Sequence, residues 1–178
     1  MRIVVDAMGS DNFPAPDVEG GVLAAREYGE TVILVGDQKR VEAELAKHDI
    51  KGLAIEVVHA DQRITMTDKP SVVGRGKPGS SMHVGMQIVK DKHADAFVSA
   101  GNTGVVLAVA TLHVLKRIRG IHRPALTTIL SVQDRRSVIL LDIGANADCR
   151  PEWLAQFGVM GGIYAERALG ITHPRVGL

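Results

Sequence analysis

The sequence predicts a three-layer α/β/α fold built on a mostly parallel sheet containing an antiparallel hairpin. Three observations carry that expectation. Short Val/Ile-rich runs alternate with longer segments of helical spacing, as they must when parallel strands are joined by crossover helices lying on both faces. The junctions between them are rich in Gly, Ser, Asn and Asp, which turn the chain and cap helices. One interval, "ALTTILSVQDRRSVILLDIG", holds two strand-like runs separated only by residues 133–136, a spacing that admits a hairpin but no crossover helix.

In chain order, strands are expected at 2–6, 32–36, 54–59, 96–99, 125–132, 137–142 and 175–178. Helices are expected at 16–28, 37–47, 80–92, 103–116 and 151–169. The helix starts are chemically consistent. Asp37 can cap the second, Ser80 or Ser81 the third and Asn102 or Thr103 the fourth, while Pro151 suits a first turn. Residues 60–79 break the rhythm as a long polar stretch punctuated by Pro70, Gly74, Gly76, Pro78 and Gly79. It reads as a lid or binding loop. The final "HPRVGL" reads as the start of a strand, so the chain is expected to be one α/β domain over 1–178 that forms the N-terminal part of a longer protein.

Composition narrows the function classes. With 178 residues and 46% of them apolar, one sizeable core can form. Lys plus Arg number 21 against 20 Asp plus Glu, and aromatics make up 3%, so neither a nucleic-acid field nor a base-stacking platform is present. The seven histidines lack ligand spacing and the one cysteine, Cys149, has no metal-binding companion, so no metal site is expected. Cys149 and Trp153 read as packing residues. The longest apolar runs fall short of the roughly 20 residues that span a bilayer, and the start "MRIVVDAMG" lacks the features of a secretion signal. A cytoplasmic protein follows, with peripheral membrane contact left open.

In open α/β sheets, ligands bind beyond the carboxyl ends of the strands, where loops present backbone amides and helix N-termini to anions. Four segments have that character: "VVDAMGSDN", "VGRGKPGSSM", "VSAGNTG" and "LDIGANADC". In the third, Gly101 and Gly104 bare the backbone while Ser99, Asn102 and Thr103 add donors; a capped turn is the plainer alternative. The fourth repeats the design with Asp142, Gly144, Asn146 and Asp148. Asp6 and Asp11 can accept or orient protons, Asp11 equally well as a turn residue. "GRGKPG" matches a dinucleotide fingerprint only formally, since "TMTDKPSVV" precedes it instead of a strand. It does place Arg75 and Lys77 before Ser80 and Ser81, where a phosphate could be held. In "HVLKRIRGIHRP" the cations suit a helix C-terminus or an acidic partner. Arg123, just before Pro124, could be rigid enough to pair with a carboxylate or phosphate.

Read together, "VDAMGSDNFP", "GKPGSSM", "ADAFVSAGNTG", "RPAL", "LDIGANADCRPEWLAQFGVMGGIYA" and "PRVGL" resemble the bacterial phosphate acyltransferase family. The resemblance spans residues 3–178, about the N-terminal half of a family member. It departs at Ser10, where the family commonly has glycine, and at Gly79, where an acidic residue is common. It implies a fold related to phosphotransacetylases and isocitrate- or isopropylmalate-type dehydrogenases, and a homodimer without metal or cofactor. The implied reaction makes acyl phosphate from acyl-(acyl carrier protein) and inorganic phosphate, which a membrane glycerol-3-phosphate acyltransferase then uses for phospholipid synthesis. Peripheral membrane association is implied as well.

Attack of phosphate on a thioester needs an anion pocket, donors for the developing oxyanion and exclusion of water. The residues expected to serve are the Gly101–Gly104 backbone with Asn102 and Thr103, helped by Lys77, Ser80 and Ser81. Asp6, Asp142, Asn146 and Asp148 are expected to shape the rest. The rival readings are a dehydrogenase of the related fold class, which would bind NAD(P), and a non-catalytic module that senses an acyl or phosphate ligand.

Overall fold

The structure is a computed structural model that describes residues 1–132 and 137–178, with only the backbone described at 74 and 75. The residues expected to form a single domain fall into two compact units, 1–116 and 117–178.

The first unit is built on four parallel strands in the order β3-β2-β1-β4, with β1 at Arg2–Asp6, β2 at Thr31–Gly36, β3 at Ile55–His59 and β4 at Ala96–Val98. The register pairs Ile3 with Val32 and with Ala96, and Val32 with Ile55. Alternation along β2 sorts its side chains onto two faces. Val32 and Leu34 pack with Val18, Val22 and Ala25 of α1 (Ala15–Tyr28) and Val41 and Leu45 of α2 (Gln38–Leu45). Ile33 and Val35 face the other way, with Val4, against Val84, Ile88 and Val89 of α4 (Ser81–Lys90). Two helices on one face and one on the other make the expected three layers. β2 is buried on both faces, which is why it reads as the unbroken apolar run "TVILVG".

The caps form as the sequence suggested. Asp37 accepts from Arg40 N at 3.2 Å, Ser80 from His83 N at 3.4 Å and Asn102 from Val105 N at 3.1 Å. Two features differ from expectation. The polar stretch 60–79 contains a short helix, α3 (Pro70–Gly76), because Pro70 sets the first-turn dihedral and Val73 finds a buried seat beside Ile64, Met82 and Val105. The helix expected to run over 103–116 is α-helical only over α5 (Thr103–Ala108) and continues as a π-helical turn at Val109–His113. There Thr111 Oγ1 donates to Leu107 O at 2.7 Å and Val114 N donates to Val109 O at 2.8 Å. The Thr111 hydroxyl, by taking a main-chain carbonyl of the preceding turn, accommodates this wider turn.

The second unit holds β5 (Thr127–Ser131), β6 (Ser137–Leu141) and α6 (Pro151–Leu169). The two strands pair antiparallel, Ile129 opposite Ile139, and form a sheet of their own instead of joining the parallel one. The hairpin turn at 133–136 lies outside the described residues. Residues 175–178, expected to be a strand, belong to no sheet among the described residues, and an extended segment without a ladder partner has nothing to fix it as one.

Candidate functional site

Three loops meet at the carboxyl edge of the parallel sheet, and polar side chains tie each to the next. The first tie is Asp6, the last residue of β1, which is buried at 1% exposure. Its carboxylate accepts from Met8 N at 3.1 Å and from Ser99 Oγ, after β4, at 2.7 Å; Ser99 Oγ in turn accepts from Gly101 N at 3.0 Å. The two loops approach so closely that a Cβ on Gly9 would sit 2.7 Å from Asp6 Oδ2, 2.9 Å from Ser99 Oγ and 3.0 Å from Gly101 N. Glycine is therefore required at position 9.

The second tie is Arg63, in the loop after β3. Its Nε donates to Met8 O and its Nη2 to Ser10 O, both at 3.1 Å, while the guanidinium lies 3.7 Å from the centre of the Phe13 ring. Beneath this loop, Asp17 at the first turn of α1 accepts from Ser10 Oγ at 2.8 Å. Burial pushes the Asp17 carboxyl above its usual range, although the Ser10 hydrogen bonds oppose the shift.

The third tie is Asn102. Its Oδ1 caps α5, and its Nδ2 donates to Thr65 O at 3.3 Å and to Met66 O and Asp68 O at 3.0 Å each, so the carboxamide clips the loop after β3 to the start of α5. Lys77 braces the same loop, donating to Arg63 O at 2.9 Å and pairing with Asp68 Oδ2 at 2.7 Å. The hydrogen bond from Lys77, aided by Thr65 N, holds the Asp68 carboxyl below its ordinary range.

Several residues expected to meet ligand are thus engaged by the chain itself. Ser80, at 0% exposure, caps α4 and lies 2.8 Å from His83 Nδ1, and Ser81 is 1% exposed, so neither hydroxyl stands open to solvent. The side chain of Arg75 lies outside the described residues. What the edge leaves exposed is Ala100, Thr103 and Gly104, with Gly101 and Asn102 partly so. The first turn of a helix has backbone N–H groups without intrahelical acceptors, and Asn102 satisfies that of Val105.

The second unit has its own organised loop. Asp142 Oδ1 accepts from Leu126 N at 3.0 Å, Gly144 N at 3.3 Å and Ala145 N at 2.9 Å; Oδ2 accepts from Asn146 N at 2.9 Å and Nδ2 at 2.8 Å. Burial pushes this carboxyl up, but the donors outweigh it and hold it below its usual range. Asn146 Nδ2 also reaches Pro124 O at 3.0 Å, and Gly144 adopts φ +137, where a side chain would be strained. Asp148 is exposed. Arg123 stacks 4.9 Å from the centre of Trp153, with Arg150 at 5.4 Å from it, so the indole meets two cations. Cys149, expected to be a packing residue, is exposed because the loop before α6 carries it outward.

Arg63, Asp17 and Asp68 were not singled out by the sequence. A lone arginine in a polar loop belongs to no spacing, and only its fixed carbonyl partners reveal it. Among the described residues no group of three or more His, Cys, Asp or Glu is placed to hold a metal, and no helix is long and apolar enough to cross a membrane.

A parallel sheet with its polar loops gathered at the carboxyl edge, and a hairpin that forms a sheet of its own, give a fold similar to that of phosphotransacetylases. The match to one from Streptococcus pyogenes has a TM-score of 0.70 at 18% identity, covering 96% of this chain and 55% of that one. For the EutD phosphotransacetylase of Staphylococcus aureus the TM-score is 0.66 at 20% identity, covering 93% and 52%. By sequence, the chain belongs to the family described as fatty acid synthesis protein, whose sequence profile matches residues 1–178. Two relatives, each named phosphate acyltransferase, come from Geobacter sulfurreducens, 47% identical over 178 residues, and Alkaliphilus oremlandii, 49% identical over 176. They are matched over 100% and 99% of this chain and over 51% and 52% of their own length. The chain therefore spans about half the length of these relatives, their N-terminal half.

Proposed function

We propose that the protein carrying this chain is an acyltransferase that joins an acyl group to inorganic phosphate, drawing the acyl group from its thioester on acyl carrier protein. The product, an acyl phosphate, would feed a membrane glycerol-3-phosphate acyltransferase in phospholipid synthesis. We place the enzyme in the cytoplasm as a homodimer, in peripheral contact with the membrane. The observation that carries the reading is the 47% identity over the whole chain to a phosphate acyltransferase; the interlocked loops at the sheet edge support it.

In the proposed reaction a phosphate oxygen attacks the thioester carbonyl, the C–S bond breaks and the carrier's thiolate departs with the electron pair. No protein nucleophile is needed because phosphate serves as one. The Gly101–Gly104 backbone and the Thr103 hydroxyl receive phosphate or the developing oxyanion, as bare amides at a helix start can. Asn102 and Lys77 are positioning residues, since their polar atoms hold the loop after β3. Asp6 and Ser99 fix the position of Gly101.

The test is incubation of the full-length protein with acyl-(acyl carrier protein) and phosphate, with acyl phosphate detected by mass; absence of product rules the reading out. Asn102→Asp then separates the clip from the cap. An aspartate still accepts from Val105 N but cannot donate to the three carbonyls. A displacement of about 1 Å costs on the order of 10²-fold in rate. An Asn102→Asp protein with the wild-type rate would remove the clip from the mechanism.

A further inference from the structure

The polar ties at the carboxyl edge of the first unit form a closed circuit. Ser99 joins the loop after β4 to the loop after β1 through Asp6, and Asn102 joins the start of α5 to the loop after β3. Arg63 supplies the remaining side, from the loop after β3 back to the loop after β1, with both its side chain and its main chain. The guanidinium donates to Met8 O and Ser10 O at 3.1 Å each, while the Arg63 carbonyl accepts from Lys77 Nζ at 2.9 Å. The two carbonyls it holds bracket Gly9. Each is fixed with the plane of its own peptide group, and between them the glycine, lacking a Cβ, resists rotation little by itself. Gly9 in turn lies against Gly101: a Cβ on Gly101 would sit 3.3 Å from Gly9 Cα, and one on Gly9 would sit 3.0 Å from Gly101 N. The Phe13 ring, its centre 3.7 Å from the guanidinium carbon, limits where the fork can settle.

We propose that Arg63 is a further positioning residue: by closing the circuit it holds the Gly9 backbone against Gly101, so that the backbone at 101–104 keeps its place. The consequence for rate rests on the proposed reaction, whereas the circuit itself does not. Two donors in one rigid plane are what the task requires, because the carbonyls of Met8 and Ser10 must be held together. A lysine carries the same charge on a single flexible head and lacks the fork. A closed circuit also behaves differently from three independent ties. Its geometric constraint is lost with the first cut, whether at Arg63 or at Asn102, so the effects of the two cuts should not add.

The test uses the full-length protein with acyl-(acyl carrier protein) and phosphate as substrates. Arg63→Met keeps a long stem beside Phe13 without donors, and Arg63→Lys, the milder change, keeps the charge without the fork. Each is expected to lower kcat on the order of 10²-fold, the scale of a ~1 Å displacement at the reacting centre. KM for either substrate should stay within about threefold, as for a group that does not itself bind substrate. Arg63→Met combined with Asn102→Asp should remain near the ~10²-fold loss of either alone, far from the ~10⁴-fold that independent ties would give. Apart from turnover, amide exchange at Met8 and Gly101 should be ~10-fold faster in Arg63→Met, with β1 and β2 unchanged. If the wild-type protein forms no acyl phosphate, the proposed reaction fails and this exchange measurement alone decides the role of Arg63. The inference is overturned by a wild-type rate in Arg63→Lys, by a raised KM with kcat unchanged, or by losses that multiply in the double variant. Exchange at Met8 and Gly101 as slow as in wild type, or accelerated uniformly throughout 1–116, overturns it equally.

Discussion

The two units bury their apolar residues to very different extents. In the first, Val4, Val18, Leu34, Val35, Val41, Met82, Val105 and Val109 are fully excluded from water, and the polar ties lie above a closed core. In the second, the buried apolar residues are Phe157 and Ala165 alone among those described, while Ile129, Leu130, Val138 and Leu140 of the hairpin are each more than two-fifths exposed. The first unit is thus held by packing, with hydrogen bonds fixing its loops. The second depends to a larger degree on one carboxylate, Asp142, and the donors gathered round it. Acid should act in opposite directions on two of their carboxyls, because burial raises that of Asp17 in the first unit while donors lower that of Asp142 in the second.

The largest test of this contrast is Leu34→Ala, which empties a fully buried position between α1 and α2. It should cost about 3–4 kcal/mol, read as faster hydrogen exchange throughout 1–116 with little change in 117–178. Equal acceleration in both units would mean that they do not unfold separately.

Next is Asp142→Ala, which leaves the donors of the second unit's loop without an acceptor and should cost about 2–3 kcal/mol near neutral pH. Because the folded carboxyl titrates below its unfolded value, this stability is full above the ordinary carboxylate range and disappears as pH falls through the depressed value. The gap between wild type and variant in urea midpoint should therefore close in acid. A gap independent of pH would mean that the charge is not what the donors hold.

Gly9→Ala should cost about 1–3 kcal/mol, since its Cβ would press on Asp6, Ser99 and the Gly101 backbone. It should also slow acyl-phosphate formation by displacing Gly101. A stable variant with an unaltered rate would show that the close approach of these loops is dispensable.

The smallest expected effect belongs to Asp17→Asn. A carboxyl raised by burial contributes most when protonated, below its unfolded value, and that contribution is lost as pH rises through the folded one. The amide keeps an acceptor for Ser10 without the charge, so the unfolding midpoint should rise slightly at neutral pH and the acid-side change should flatten. A lower midpoint at neutral pH would contradict the assigned direction.

What the sequence made legible follows from how locally each feature is determined. The boundaries of β1 and α6 were readable to the residue because a Val/Ile run ending at Asp6, and Pro151 and Gly170 bracketing a helix, are local signals. The hairpin was readable from its spacing, but its separation into a sheet of its own depends on tertiary pairing that no spacing records. α3 was hidden because a seven-residue helix with two glycines and a lysine at its N-cap has weak propensity and gains its place from the seat of Val73. At the candidate site, the residue types were apparent but their orientations were not. Asn102 and Lys77 are donors suited to a ligand by residue type, and the partners that hold them within the chain are carbonyls and a carboxylate more than thirty residues away in one case and nine in the other.

Arg63, Asn102 and Asp142 share a property that bears on how sequences of this kind can drift. Nearly all their partners are main-chain atoms: the carbonyls of Met8, Ser10, Thr65, Met66 and Asp68, and the amides of Leu126, Ala145 and Asn146. A peptide group is the same whichever side chain it carries, so the partner positions can exchange residues while the contact persists. In a saturation-mutagenesis library, Met66 should tolerate many replacements and Asn102 almost none, although the two are joined by a single hydrogen bond.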